Sequence, residues 1–448
     1  MFRTFANAWK IPDLRQKMLF TLFIVLIYRI GACITVPFVN ISAIRIAQTS
    51  IFEFQNVLSG GAFEQATLFA LGVSPYITAS IVIQLLTVAI PALERIAQQG
   101  EEGKKKITQI TRWATVIISV ITAIGYYVML NNWGAVKNNY MTKGEKFFLA
   151  VVIVACFCAG SALVMWIAEK INDKGIGNGI SIILFANIVS RLPSMFSTMY
   201  RILHVFAWKE MPQKWGVGFA FCAFVVLFML AMIWFIIFIS DSERRIPVQY
   251  AKKVVGRKMY GGQNTNLPIK LNMTGVMPII FASSIVGIPS MIAMFATPTA
   301  GSGWEKFVNF FSTVTWLYAL ILFVLIIAFA YFYVAISFNP IEVSGNLQKN
   351  GGSIPGIRPG KATSDFITRV LSRVTFIGAI ALGLIAVVPQ ILQLIVNAVT
   401  KNTVYAGYFS ISSLVFGGSS IIIVVGVILE TVREIEGQMT MRHYKGFL

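Results

Sequence analysis

Charged residues are scarce in this sequence. Asp, Glu, Lys and Arg together make up 12% of the 448 residues, and 56% of the residues are hydrophobic. An ordinary soluble domain is roughly one quarter charged, because it must cover its core with polar surface. The composition therefore excludes the water-soluble classes and predicts an integral membrane protein.

Groups that carry chemistry are scarce as well. The sequence has only two histidines, His204 and His443, and its four cysteines lie in apolar runs without metal-ligand spacing. Residues 360–361 (Gly-Lys) resemble the end of a phosphate-binding loop, but Pro355 and Ala362 stand where that motif needs Gly and Ser or Thr. We therefore expect no enzyme activity, no catalytic residue, no metal and no cofactor.

Ten apolar runs are long enough to cross a bilayer. A bilayer core about 30 Å thick needs about 20 residues of helix, and helices are required because backbone groups in lipid must be satisfied within the segment. The predicted fold class is an all-α polytopic membrane protein with ten transmembrane helices. The predicted spans are 18–38, 72–91, 113–130, 147–167, 180–199, 217–239, 273–295, 317–338, 374–396 and 412–432.

Basic residues are distributed unevenly between the connections. The side that holds both termini carries 26 of the 37 Lys and Arg residues, the other side carries 10, and Arg29 lies inside the first span. Because basic residues resist transfer across the membrane, both termini are predicted to be cytoplasmic. Residues 1–17 then form a cytoplasmic amphipathic segment without a cleavage site, and residues 433–448 form a cytoplasmic tail.

The even number of spans divides into two halves of five helices. The halves cover residues 18–199 and 217–432, and the external connection 200–216 joins them as a hinge. Two halves with an odd number of spans lie inverted relative to each other, so we expect a pseudo-symmetric inverted repeat. The expectation comes from counting, because no residue similarity between the halves is strong enough to quote.

The predicted membrane interior contains no acidic residue. All 18 Asp and Glu residues fall in connections or at span ends, whereas proton or sodium coupling usually recruits an intramembrane carboxylate. This argues against an ion-coupled small-solute transporter, which stays an alternative because it also has inverted halves and a broken helix. Arg29 is expected to face protein and to bind helix-end carbonyls where a neighbouring helix is broken.

A short apolar segment precedes the second span. Residues 63–71 can form about two helical turns, too few to span, and are bounded by Gly60-Gly61 and by the break at 72–75 (Gly-Val-Ser-Pro). We expect a half-helix. Irregular backbone at membrane depth is tolerated only against protein or a water-filled cavity, which favours a pore or binding cavity here. A surface re-entrant loop is an equal alternative.

Two connections predicted to be cytoplasmic are long and basic. They cover residues 240–272 and 339–373, and both contain a Gly pair, 261–262 and 351–352, that is typical of a turn. We expect ordered hairpins that suit an acidic partner such as ribosomal RNA. Ordinary positive-inside bias explains their charge but not their length.

Four long stretches resemble the SecY family, the channel subunits of bacterial protein-translocation complexes. They are SGGAFEQATLFALGVSPYITASIVIQLLTV, DKGIGNGISIILFA, ERRIPVQYAKK with LPIKLNMTGVMPIIFASS, and NPIEVSGNLQKNGGSIPGIRPG, in the family's order. The resemblance implies a ten-helix clamshell of two halves that conducts unfolded polypeptide. It also implies a pore ring of Val73, Ile77, Leu184, Ile280 and Ile423.

The resemblance assigns further sites. The plug that closes the pore from outside is implied at Ala62, Phe63, Glu64, Gln65, Ala66, Thr67, Leu68, Phe69, Ala70 and Leu71. A lateral gate, through which signal sequences and membrane helices reach lipid, is implied between spans two and three and spans seven and eight, with polar candidates Thr78, Gln84 and Asn272. Docking of the SecA motor or the ribosome is implied at Arg244, Arg245, Lys252, Lys253, Arg257 and Arg358.

The same resemblance implies the partners and the location. We expect the small membrane subunits SecE and SecG, the SecA ATPase, the ribosome, preproteins with signal sequences and anionic lipids, and no DNA. The location implied is the bacterial plasma membrane. In this reading the chain is a passive gated conduit, driven by the ATP hydrolysis of a partner or by translation.

Overall fold

The computed structural model describes residues 2–44, 52–136, 142–204, 215–250, 253–255, 258–260, 264–295, 303–310, 315–400 and 418–445. Helices dominate these ranges. The helices before residue 242 are α1 (Phe2–Trp9), α2 (Pro12–Gly31), α3 (Glu53–Leu58), α4 (Ser74–Ala89), α5 (Pro91–Ala97), α6 (Glu101–Asn132), α7 (Lys143–Lys174), α8 (Gly179–Val189), α9 (Leu192–His204) and α10 (Trp215–Asp241).

The rest of the described chain combines strands and helices. The strands are β1 (Glu243–Tyr250), β2 (Lys253–Val255), β3 (Lys258–Tyr260), β4 (Asn264–Lys270) and β5 (Gly352–Ser353). The helices are α11 (Met277–Val286), α12 (Ile288–Ala293), α13 (Gly303–Phe310), α14 (Trp316–Ser337), α15 (Pro340–Lys349), α16 (Lys361–Thr400) and α17 (Gly418–Lys445).

Several of these helices are membrane spans by length and hydropathy. Within the described ranges six qualify, namely Glu101–Asn132, Lys143–Lys174, Gly179–His204, Gly218–Asp241, Trp316–Lys349 and Lys361–Val396. The pair α4 and α5 qualifies as a seventh only as a broken span, because the two helices meet at 105°. The bend falls at Ile90, which is extended because Pro91 follows it. The chain is therefore a multi-pass membrane protein.

A small β-sheet corrects the all-α prediction. Strands β1 and β4 pair antiparallel over Glu243–Gln249 and Asn264–Lys270, and β5 pairs with the other edge of β1. Strands β2 and β3 form a second antiparallel pair. The ordered hairpin expected in the first basic connection is thus confirmed. Alternate residues of β1 are buried, so Ile246 and Val248 point inward. This period of two is typical of a strand and differs from the long apolar runs from which the helices were predicted.

The half-helix expected at residues 63–71 is wrong. The short helix in this region is α3, and residues 59–73 are a series of turns. Their backbone hydrogen bonds go to the chain that follows α2: the Leu68 amide donates to the Ile34 carbonyl at 2.8 Å, and the Ala66 carbonyl accepts from the Val36 amide at 3.1 Å. A helix over these residues would need the same backbone amides and carbonyls for its own hydrogen bonds. Ala66 also has a φ of +44°, which lies outside the right-handed helical region.

The ends of several predicted connections are helical. Helix α15 lies within the basic connection 339–373, and α16 begins at Lys361, twelve residues before that connection was predicted to end. The predicted tail 433–448 continues α17 as far as Lys445. Helices that extend beyond the bilayer keep their backbone bonds although their sequence becomes polar, so hydropathy alone ends them too early.

Two large hydrophobic clusters form the core. One contains buried residues from α2, α4, α7, α8, α10, α11, α14, α16 and α17. The other lies around Phe63, Tyr126 and Phe157 and includes residues of α6, α7 and the segment 59–73. The segment 59–73 contributes to both clusters, since Ala62 and Phe69 belong to the first and Phe63 and Leu71 to the second.

Candidate functional site

Five apolar side chains from four helices lie in one buried cluster. They are the residues predicted as a pore ring: Val73, Ile77, Leu184, Ile280 and Ile423, with exposed fractions of 2%, 2%, 0%, 4% and 1%. Helix α4 packs against α11, and α8 packs against α17. Their side chains offer no hydrogen bond to a ligand, so these five residues cannot fix a polar substrate.

The helices α4 and α11 begin in the same way. The sequence Gly-Val-Ser-Pro-Tyr-Ile (72–77) introduces α4, and Gly-Val-Met-Pro-Ile-Ile (275–280) introduces α11. Each glycine has a positive φ, +54° and +62°, and each valine has nearly the same N-cap conformation, with φ of −88° and −91° and ψ of −9°. The two isoleucines at the end of the motif are Ile77 and Ile280. This short internal match was missed in the sequence, where no similarity between the two halves was strong enough to quote.

The segment 59–73 and the end of α3 are held through backbone carbonyls at a spacing of five residues. The Leu58 carbonyl accepts from the Asn187 amide of α8 at 2.7 Å. The Phe63 carbonyl accepts from the hydroxyl of Tyr126 on α6. The Leu68 carbonyl lies so close to Gly160 of α7 that a Cβ there would overlap it. Three different helices therefore contact three successive points of this backbone.

Aromatic rings also pack against the segment 59–73. The Phe69 ring stacks on the Tyr28 ring with centroids 5.4 Å apart and planes 3° apart, and it lies where a Cβ on Gly31 would be. The Phe63 ring stacks on Tyr126 at 4.6 Å. Such stacked pairs add stabilisation beyond the area that they bury. The segment is thus packed between α2 and α6 as firmly as ordinary core.

Arg29 faces protein, as expected, but its partner is not a helix-end carbonyl. Its guanidinium donates to the side-chain oxygen of Asn187 at 3.2 Å. The Asn187 amide nitrogen in turn donates to the Tyr28 hydroxyl at 2.9 Å and to the carbonyl of Leu58, the last residue of α3. The predicted partner is therefore wrong: Arg29 bonds the fully buried amide of Asn187, and it is this amide that bonds the last carbonyl of α3.

The polar residues predicted at the lateral gate are not brought together by hydrogen bonds. The Thr78 hydroxyl donates to the Ser74 carbonyl at 3.0 Å, and the Gln84 amide donates to the Ser80 hydroxyl at 3.4 Å, so both bonds stay within α4. Asn272, just before α11, has a buried side-chain oxygen without a partner among the described residues. Thr and Ser hydroxyls in apolar helices often bond their own backbone in this way.

The two basic connections share one sheet. Tyr250 of β1 pairs with Gly352 of β5, which joins the connection 240–272 to the connection 339–373. Beneath the sheet, Ile246, Val248 and Ile354 pack with Ile367 and Leu371 of α16. The two connections predicted separately therefore form one ordered protrusion.

The predicted docking residues lie on this protrusion. Arg244 and Arg245 are exposed on β1, and the Arg245 guanidinium donates to Glu243 at 2.7 Å. Lys253 lies on β2, and Arg358 is exposed between β5 and α16. Lys252 and Arg257 lie outside the described residues.

Charge is crowded at the base of the protrusion. Burial lowers the pKa of Lys270 at the end of β4, and the nearby Arg433 lowers it further, against the opposite effect of Asp241 and Glu243. Arg433 of α17 donates to the Ser240 carbonyl at 2.6 Å and to the Asp241 carboxylate at 2.8 Å, so it connects α17 to the end of α10. Among the described residues, no group of three or more His, Cys, Asp or Glu side chains is placed to hold a metal.

The sequence matches a known family over most of its length. The family model for SecY matches residues 67–432. The protein translocase subunit SecY of Streptomyces coelicolor is 42% identical over 461 aligned residues, which cover 100% of both chains. The chain belongs to the SecY family. It is accordingly a protein-translocation channel subunit and not an enzyme, and nothing in the comparisons favours the transporter alternative.

Solved channel structures share the fold of this SecY family member. One belongs to a study of how the plug domain of the SecY protein stabilises the closed state of the translocation channel. It has a TM-score of 0.62 at 18% identity, and the alignment covers 95% of this chain and 92% of that chain. Another is Sec61 in the canine ribosome-channel complex, with a TM-score of 0.58 at 16% identity and the same coverage of both chains.

Proposed function

We propose that this chain forms the pore through which unfolded secretory polypeptides cross the bacterial plasma membrane, and that it releases signal sequences and membrane helices sideways into lipid. The observation that carries the proposal is the burial of five aliphatic side chains from four helices in one cluster, with no polar ligand among them. Such a ring surrounds a chain of any sequence without binding it, which a conduit for diverse substrates requires.

The proposed architecture has ten spans in two inverted halves, with both termini and both basic connections in the cytoplasm. Six long helices and the bent pair α4–α5 account for seven spans, and α2, the apolar pair α11–α12 and α17 are the remaining three. The matching starts of α4 and α11 support the halves 18–199 and 217–432 with their hinge at 200–216, because each helix is the second span of its half.

Residues 62–71 are the proposed plug. They are packed against α2, α6, α7 and α8, and Ala62 and Phe69 belong to the same cluster as the five ring residues. A segment with turns in place of a helix suits this role, because it has no continuous ladder of its own hydrogen bonds, and its contacts with the surrounding helices are ones that a translocating chain can replace.

The proposed lateral gate is the seam between α4 and α6 on one side and α11 and α14 on the other. Helices α4 and α11 pack directly, and both begin at the ring. Thr78, Gln84 and Asn272 remain the candidate polar residues at this seam. Opening here leads an apolar segment from the pore to the bilayer without passing polar surface, which membrane insertion requires.

The proposed docking surface for SecA or the ribosome is the protrusion formed by β1, β4, β5 and α15. Arg244 and Arg245 lie on β1, Arg358 follows β5, and Lys253 on β2, Lys252 and Arg257 belong to the same basic set. Its fixed shape and excess of basic residues support an acidic partner. SecE, SecG, preproteins and anionic lipids complete the proposed set of partners.

A stalled substrate tests the proposed path. A photoreactive amino acid placed at Ile77 or Ile280 is expected to cross-link to a preprotein arrested during translocation in membranes that contain the complex. The matched control is Trp113, whose side chain is 73% exposed on the outer face of α6 and is expected to contact lipid. Equal cross-linking from all three positions, or from Trp113 alone, contradicts the proposed path.

A further inference from the structure

The contacts of Asn187 are more numerous than packing alone requires. Its side chain is fully buried and makes three hydrogen bonds to two separate pieces of chain: Arg29 and Tyr28 on α2, and the Leu58 carbonyl at the end of α3. Helix α8 also carries Leu184, one turn before Asn187, in the proposed pore ring. The amide therefore lies between the ring and the start of the segment 59–73.

The orientation of this amide is fixed by chemistry. An arginine side chain only donates hydrogen bonds, so Arg29 must face the Asn187 oxygen. A backbone carbonyl only accepts, so Leu58 must face the Asn187 nitrogen. The half-buried positive charge of Arg29 thus holds the amide in the one orientation in which its nitrogen points at Leu58.

We infer that Asn187 is the positioning residue of the closed channel: with Arg29 it latches the chain at Leu58, and thereby holds the segment 59–73 against α2 and α8. The Gly60 and Gly61 turn follows immediately, with φ of +66° and +88°, so the chain beyond the latch can swing when the latch opens. A Cβ at Gly60 would lie 2.9 Å from the Arg29 guanidinium and 3.0 Å from Asn187, so the turn fits closely over the pair.

The latch lies within a single half of the molecule. Helices α2 and α8 both belong to the proposed half 18–199, so separating the two halves does not itself break the three hydrogen bonds. The segment is then expected to stay with this half when the lateral seam opens, and to leave only when a translocating chain displaces it. The inference rests on the proposed role of residues 62–71 as the plug.

Three substitutions test the latch with two separate measurements. Asn187→Leu removes all three hydrogen bonds at similar volume. Asn187→Asp keeps the shape and the bond to Arg29 but places a carboxylate oxygen against the Leu58 carbonyl. Tyr28→Phe removes a single hydroxyl and keeps the ring beneath Phe69. Ser190→Ala is the matched control, because its hydroxyl bonds only to the Asn187 carbonyl on the same helix.

The first measurement is amide hydrogen exchange of peptides that cover residues 59–73 in the purified complex. We expect exchange to quicken by about tenfold in Asn187→Leu and Asn187→Asp, less in Tyr28→Phe, and not in Ser190→Ala. Unchanged exchange in both Asn187 variants overturns the latch, as does an equal effect of Ser190→Ala. Where Asn187→Leu fails to assemble, Asn187→Asp and Tyr28→Phe decide the result.

The second measurement is resting ion conductance in planar bilayers, which reports on the plug itself. Quicker exchange together with raised conductance supports both the latch and the plug. Quicker exchange with unchanged conductance supports the latch and contradicts the plug role of residues 62–71. If Asn187→Leu raises both the conductance and the exchange rate while Asn187→Asp raises neither, the assigned contact with the Leu58 carbonyl is overturned.

Discussion

Ile77 and Ile280 occupy the same position after the same glycine-valine turn in two different helices. Each lies in the first turn of its helix, where a proline pre-sets the backbone, and each is almost fully buried. Their branched side chains have few rotamers, so a ring built from them has a defined width at rest. If these residues form the proposed ring, its seal depends on their side-chain volume.

Removing that volume is expected to open the seal. In Ile77→Gly with Ile280→Gly, resting conductance in planar bilayers should rise clearly above that of the unaltered channel, because water and ions can enter the widened ring. The control is Ile81→Gly with Ile279→Gly, which empties equally buried sites on the same two helices. Both variants lose about 2–5 kcal/mol of stability per site for the missing side chain, and about 1 kcal/mol more because glycine is a poor helix former. Equal conductance in the two double variants contradicts the ring.

Gly160 offers a test at a single atom. In Gly160→Ala the added methyl group overlaps the Leu68 carbonyl, so the segment 59–73 or α7 must shift, at a cost of about 1–3 kcal/mol. We expect a lower temperature of thermal unfolding and a higher resting conductance. Gly144→Ala on the same helix is the control, because no atom lies within 4 Å of its new methyl group. The prediction fails if both alanine variants behave alike.

At the scale of elements, the sequence predicts what depends on local pattern. Long apolar runs located the described helices that are long and apolar enough to cross a membrane, and Gly351 of the second glycine pair lies in a turn, whereas Gly261-Gly262 lies outside the described residues. The helix predicted at 63–71 failed because Leu68 and Ala66 bond to the chain near Ile34 and Val36, some thirty residues earlier. Such non-local pairing leaves no periodic signal in a single sequence, and neither does the meeting of Arg29 with Asn187.

Only part of the candidate site could be predicted from the sequence. The resemblance to a family named the five ring residues, which the structure places among the many buried residues of the larger core cluster, and their meeting in a ring stays a prediction. Tyr126, Gly160 and Asn187 were missed, because a buried tyrosine, a helix glycine and a helix asparagine have no pattern that distinguishes them from ordinary packing. Their role depends on backbone carbonyls, which every residue carries and no sequence displays.

The basic protrusion leads to a prediction about its partner. Arg358→Glu reverses one exposed charge between β5 and α16, so SecA-driven export should slow while membrane assembly of the protein stays normal. Raising ionic strength is expected to weaken the unaltered interaction in the same direction. The measurement is the initial rate of preprotein import into inverted vesicles.

A matched control separates position from total charge. Lys349→Glu makes the same change of net charge at the end of α15, on the same connection, and its side chain is also exposed. A slower rate in Arg358→Glu alone indicates a specific contact. If both variants slow export equally, the protrusion acts through its overall charge, and Arg358 has no special docking role.

At the scale of the whole molecule, charge and fold determine orientation together. The side of the chain that is predicted to be basic contains both termini, the sheet formed by β1, β4 and β5, the start of α16 and the end of α17. The other side contains the connection before α7, where Thr142 and Glu145 form a capping box. Because Lys and Arg resist translocation, all features of the first side are expected in the cytoplasm.

Three glycines allow this orientation to be measured without disturbing the fold. Gly144, Gly345 and Gly437 each have open space where a Cβ would be added, so a cysteine can be placed at any of them after the native cysteines are replaced by serine. A membrane-impermeant maleimide should label Gly144→Cys when it is applied to cells whose wall has been removed and whose plasma membrane is still closed. It should reach Gly345→Cys and Gly437→Cys only after the membrane is opened, because α15 and the end of α17 are predicted to lie on the cytoplasmic side.

Labelling of Gly437→Cys from outside at the rate of Gly144→Cys would place the termini on the outer face. An odd number of spans would follow if Gly345→Cys and Gly437→Cys differed, since the two positions are separated by two predicted spans and must otherwise share a side.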